Sequence, residues 1–148
     1  MGFLKSIVTN HVLIAPAVAW LISQVLKTVL FFIKEKKLDI KRIVGDGGMP
    51  SGHSATVVAL AVMAGYTAGF GSAAFAIAII FSAVVIRDAV GVRREVGKQA
   101  RILKELADKS DIKSNEKLKL ISGHTIPEIL AGIFIGALVS VLYIIIIL

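Results

Sequence analysis

Two stretches of this sequence, Val12 to Ile33 and Ile126 to Leu148, are apolar for long enough to cross a lipid bilayer. A helix rises 1.5 Å per residue, so about 20 apolar residues span a hydrocarbon core of about 30 Å. Two shorter apolar runs lie between them, Ser54 to Ala68 and Ala73 to Ile86, separated by Gly69-Phe70-Gly71-Ser72. That separator has the composition of a tight turn. The pair reads as a hairpin of short helices, either spanning or re-entrant, whose alanines and glycines allow close contact in lipid. Hydrophobic residues make up 56% of the chain and charged residues 18%, and the charges fall in blocks between the apolar runs. The expected fold is all-α: an integral membrane bundle of about four short transmembrane helices plus an interfacial helix. Residues 1–148 are expected to form a single membrane-embedded domain.

The charge blocks predict an orientation. Of the 17 lysines and arginines, all but Lys5 and Lys27 fall in the stretches Lys34 to Arg42 and Arg87 to Lys119. Basic loops stay in the cytoplasm, so both stretches are expected there, with both termini outside. The protein is then a multi-pass cell-membrane protein whose first apolar run is a retained span and not a cleaved signal peptide. The formal charge of +7 is matched to anionic lipid, and no nucleic-acid partner is expected. Cysteine is absent, which excludes disulfides and thiolate chemistry. Asp88 to Ala107 has partial helical periodicity. It reads as a helix that continues from the third apolar run or lies along the interface.

Charge counting places two polar, glycine-bearing stretches at one level. The first is Gly45-Asp46-Gly47-Gly48-Met49-Pro50-Ser51-Gly52-His53-Ser54, and the second is Ser122-Gly123-His124-Thr125-Ile126-Pro127-Glu128. Each leads into an apolar helix from the cytoplasmic side. In the first, Ser51 is a plausible cap and the free amides of a helix start favour an anion. His53, in the first turn, could pass a proton to a leaving group. A capped helix start with a structural histidine would look the same. In the second, His124 and Glu128 are four apart and share a helix face. The carboxylate could fix the imidazole tautomer and leave its other nitrogen free, or the pair could be merely solvated. The spacing of these residues has no zinc or two-metal signature, so no metal is expected.

Cations are at hand. Ser23, Gln24 and Lys27 share one face of the first span, which should turn inward unless Lys27 snorkels to the surface. Arg93 and Arg94 could clamp phosphate oxygens or simply anchor at the interface. Asp88 could orient one of these arginines or neutralise Arg87. His11 precedes the first span on the opposite side and is left outside the site. Gly132 and Gly136 have close-packing spacing. They could serve a second copy of the chain, so a homodimer is one expectation.

Pro50-Ser51-Gly52-His53 resembles the central motif of the type 2 phosphatidic acid phosphatase superfamily. The stretch from His124 to Gly132 resembles its final motif, a histidine followed four positions on by an acid. Gln24-Val25-Leu26-Lys27, Gly47 to Ser54, Asp88 to Arg94 and Gly97-Lys98-Gln99-Ala100 extend the likeness over nearly the whole chain. They make it similar to the divergent branch called acid phosphatase/vanadium-dependent haloperoxidase-related. The resemblance implies a phosphomonoesterase acting on a membrane phospholipid phosphate, with no cofactor. By that likeness His124 would attack phosphorus, Glu128 would orient it and His53 would protonate the leaving alcohol. Ser51 and Gly52 would hold phosphate oxygens. The sequence departs from the superfamily in its cations: no lysine-to-Arg-Pro string occurs, and Leu118 stands where an arginine usually precedes the final histidine. Lys27, Arg93, Arg94 and, more weakly, Arg42, Lys117 and Lys119 are the candidates to replace them. A non-catalytic binder of anionic head groups and a lipid phosphotransferase are the alternative functions.

Overall fold

The computed structural model describes residues 2–36, 48–109 and 125–148. Six helices occur among them: α1 (Gly2–Val8), α2 (His11–Glu35), α3 (Gly52–Ala68), α4 (Ala73–Val90), α5 (Val92–Lys109) and α6 (Ile126–Ile147). The boundaries follow local chemistry. Asn10 caps α2, its Oδ1 accepting from the Val12 N–H at 2.9 Å. Ser72 caps α4 in the same way, from the Phe75 N–H at 3.2 Å. Between α3 and α4, Gly69 adopts φ +91°, a conformation that favours glycine. This is the tight turn expected at Gly69 to Ser72. The short α1 has no counterpart in the sequence reading. None of its residues is buried.

Three of these helical runs are long and apolar enough to cross a membrane: His11–Glu35, Ala73–Leu103 and Ile126–Ile147. The second of them takes in α4 and α5 as far as Leu103. About four spans were expected, the middle two short and either spanning or re-entrant, and of these α3 is the one that falls below the length and apolarity of a span. It has 17 residues, about 26 Å at the standard rise, and it is the centre of the bundle. Helices α2, α4 and α6 all pack around it. A helix enclosed by three others need not match the lipid thickness by itself.

The core is made of small side chains. Ala19, Ala55, Ala59 and Val139 form one cluster, and Ala61, Ala64 and Ala78 form another. A Cβ on Gly132 would run into the Ser51 carbonyl oxygen, and one on Gly136 into that of Ala55. The Gly132–Gly136 face is thus consumed inside the chain, against α3. The homodimer expectation rested on that face being free, and it loses this support. Serine hydroxyls tie the helices further. Ser82 Oγ lies 2.9 Å from the Val57 carbonyl of α3, and Ser140 Oγ lies 3.5 Å from the Ala59 carbonyl of the same helix.

The outside is the reverse of a soluble protein's. Leu13, Leu21, Val25, Ile33, Ile77, Ile80, Phe134 and Ile145 are all exposed. Large apolar side chains outside and alanine, glycine and serine inside suit a lipid solvent, where close backbone approach holds helices together. The exception is α5. It continues from α4 through Gly91, whose N–H bonds Arg87 O at 2.8 Å and whose carbonyl accepts from the Glu95 N–H at 3.1 Å. Among the described residues it packs on α4, and Val96, Leu103 and Leu106 remain exposed on it. Of the two expected forms, continuation from the third apolar run is the one seen.

Candidate functional site

Helix α3 starts partway along α2. Gly52 meets Trp20 and Gln24: a Cβ on Gly52 would sit 3.3 Å from Trp20 Cδ1 and 3.6 Å from Gln24 Nε2. From Trp20, α2 runs on to Glu35, about 22 Å further at the standard helical rise. The first turn of α3 is therefore recessed below the end of α2, and the second half of α2 forms a wall beside it.

That wall carries the polar face noted in the sequence, turned inward. Ser23, Gln24 and Lys27 are all buried, Lys27 with 6% of its surface exposed. The Lys27 stem lies along the chain that leads into α3, with Cγ and Cδ 3.5 and 3.6 Å from where a Cβ on Gly48 would be. Gly48 itself has φ +92°, and the Met49–Pro50 peptide is cis. Burial of the lysine answers the question of snorkelling: the stem does not run along the lipid-facing side.

Ser51 is the N-cap of α3 and is wholly buried. Its Oγ accepts from the Ser54 N–H at 3.3 Å and from the Ser54 hydroxyl at 3.0 Å. Its own N–H donates to the Glu128 carbonyl at 3.0 Å. This bond joins the start of α3 to the first turn of α6, so the two sequence stretches do meet at one level. Gly132 on α6 presses against the Ser51 carbonyl from the same side. His53 follows in the first turn of α3, with an exposed side chain.

The Glu128 side chain has a structural task. Its Oε2 accepts from the Thr125 N–H at 2.8 Å, the carboxylate half of a capping box at the start of α6. His124, the residue it was expected to orient, lies outside the described residues, as do Arg42, Gly45 to Gly47, Lys117, Leu118 and Lys119. Asp88 is in the last turn of α4 and half-buried. Arg93 and Arg94 are in the first turn of α5, their side chains outside what is described. Because α3 and α4 form a hairpin, the end of α4 and the start of α5 return to the end of the bundle where α3 begins.

The structure thus brings together Lys27, Ser51, Gly52 and Glu128 with the base of His53. It adds Trp20 and Gln24, which were not among the expected site residues. Their signal was present in part: Gln24 shares the inward face with Lys27, and Trp20 is one turn before it. The opposite end of α2 has a different polar group. His11 Nδ1 and the Tyr143 hydroxyl are 2.9 Å apart, with ring centroids at 5.9 Å.

Residues 8–139 match the family described as the Divergent PAP2 family. The chain belongs to that family. A divergent PAP2 relative from Bacillus subtilis (strain 168), bearing the name uncharacterized membrane protein YuiD, is 32% identical across 90% of this chain and 94% of its own length. No solved structure matches the chain. The divergent PAP2 match runs from the end of α1 to Val139 on α6 and takes in every site residue named above.

Proposed function

We propose that this protein is a lipid phosphate phosphatase, hydrolysing a membrane phosphomonoester of the phosphatidic acid or phosphatidylglycerophosphate type at the cytoplasmic face. The observation that carries the reading is the bond from the Ser51 N–H to the Glu128 carbonyl, 3.0 Å. It puts the two family motifs side by side at one end of the bundle, next to a buried lysine.

In the proposed reaction an imidazole nitrogen of His124 attacks phosphorus. The N–P bond forms as the ester P–O bond breaks, and protonated His53 gives its proton to the leaving alkoxide. Neutral His53 then takes a proton from water as that water attacks the phosphohistidine, releasing inorganic phosphate and restoring His124. Lys27 and the first-turn N–H groups of α3 would hold the phosphoryl oxygens as charge develops on them. Glu128, with one oxygen held by the Thr125 N–H, would steady His124. Arg93, Arg94 and Asp88 would complete the charge around the phosphate from the α4–α5 junction.

The test is phosphate release from a panel of lipid phosphates by purified protein, beside His53→Ala and His124→Ala. Each variant should lose about 10²-fold or more. Full activity in both would overturn the assignment. The capping task of Glu128 favours a second reading, a non-catalytic protein that binds anionic head groups. Phosphate binding without turnover of any lipid in the panel would decide for it, and turnover only with an alcohol acceptor would mean a phosphotransferase. The orientation is tested on the same protein, which has no native cysteine. A Ser72→Cys variant should be labelled from outside the cell, and labelling from the cytoplasm would reverse the proposed topology.

A further inference from the structure

Several helix hydroxyls, exposed as well as buried, share one habit. Thr28, Thr56, Thr67, Ser82 and Ser140 each donate to a backbone carbonyl one turn back on their own helix. Ser23, on the same kind of helix and with no exposed surface, does not. Its Oγ and the Oε1 of its neighbour Gln24 are buried and have no hydrogen-bond partner among the described residues. Buried polar atoms are nearly always paired, and an unpaired one calls for an explanation.

The position of the pair supplies the explanation. Gln24 is 93% buried, and its amide nitrogen lies over the first residue of α3, 3.6 Å from the Cβ position of Gly52. One turn further along α2, Lys27 lies along Gly48. The opening turn of α3 leaves its first N–H groups without intrahelical partners. The amide, the lysine and the helix start therefore border one recess, and that recess suits a tetrahedral oxyanion.

We propose that Gln24, supported by Ser23, is a binding residue for the phosphoryl group, whether free phosphate or a lipid head group. An amide N–H of Gln24 donates to a phosphate oxygen. The Ser23 hydroxyl donates to the same anion, while Gln24 Oε1, an acceptor, takes its partner from a P–OH of the phosphate or from a water that enters with it. A neutral amide thereby takes a place where the superfamily uses cationic side chains. This rests on the reading of this end of the bundle as a phosphate site, and it does not depend on turnover.

The test separates binding from stability in the full-length protein, held in nanodiscs of zwitterionic lipid. Inorganic phosphate is titrated calorimetrically, phosphatidic acid is titrated in parallel, and thermal unfolding is followed without ligand. Gln24→Leu keeps the volume and removes the unpaired polar atom. It should weaken phosphate binding about tenfold or more, while the unfolding midpoint stays or rises. Ser23→Ala should follow in the same sense with a smaller loss. Equal losses for both ligands support a contact to the phosphoryl group, and the ligand that wild-type protein binds more tightly identifies the source. Unchanged phosphate affinity in Gln24→Leu overturns the inference. So does a fall in affinity with a matching fall in midpoint, which is what a packing role would give. Loss of turnover in His53→Ala, with Gln24→Leu unaffected, would leave the phosphatase reading standing and remove this one. A wild-type protein that binds no phosphate would remove both.

Discussion

The two ends of the α2–α6 pair carry polar residues to opposite effect. At one end His11 and Tyr143 meet at 2.9 Å and satisfy each other. At the other, Ser23 and Gln24 are more deeply buried, and the Ser23 Oγ and Gln24 Oε1 atoms have no hydrogen-bond partner among the described residues. A satisfied pair between two helices is a fastener. An unsatisfied set beside a glycine-bearing helix start costs stability, about 1–3 kcal/mol for each atom. The contrast teaches where to look for a ligand: proteins keep such costs at places where a bound group removes them.

The largest effect should come from breaking the contact that holds the unsatisfied end in shape. Gly132→Val puts a branched side chain against the Ser51 carbonyl, with backbone and not a flexible side chain as the obstacle. Overpacking of this kind costs about 3 kcal/mol or more at a site that cannot yield. A thermal-unfolding comparison with Gly2→Val, where the added atoms meet open space, should show a large drop for the first variant and almost none for the second. Equal midpoints would mean that α3 and α6 are not joined as described.

The smallest effect should come from the satisfied end. Tyr143→Phe removes the hydroxyl that faces His11 and should cost about 0.5–1.5 kcal/mol. Phosphate binding and lipid turnover should not change. A loss of turnover there as large as that in His53→Ala would erase the distinction between the two ends.

Much of this arrangement was legible in the residues. Helix limits came within a few positions because Ser51, Gly69, Ser72 and Pro127 punctuate the apolar runs. The three-and-four spacing of Ser23, Gln24 and Lys27 offered an inward polar face or a snorkelling lysine, and the inward face is the one seen. Charge blocks put both family motifs at one end, and the Ser51–Glu128 bond agrees. Partners were less legible, because a pattern on one helix states a face without naming what covers it. Gly132 and Gly136 announced close packing, yet a second copy fitted that spacing as well as α3 does. Glu128 suited two tasks at once. Three positions into a helix it can serve the helix cap, and four positions after His124 it can serve the histidine; the first is seen, and the second involves a residue outside the described ones. The central place of α3 was hidden for a related reason. Its alanines read as a weak span, whereas they are small because three helices crowd them.

The most direct test of the phosphate recess is to locate a bound oxyanion. Tungstate, a heavy tetrahedral anion, can be found by its anomalous scattering in crystals of the full-length protein. It should appear at the first turn of α3, within hydrogen-bonding reach of Lys27 Nζ, the Gly52 N–H and the Gln24 amide. Tungstate ordered instead beside His11 and Tyr143, or only along α5, would contradict the assignment of this end as the phosphate site.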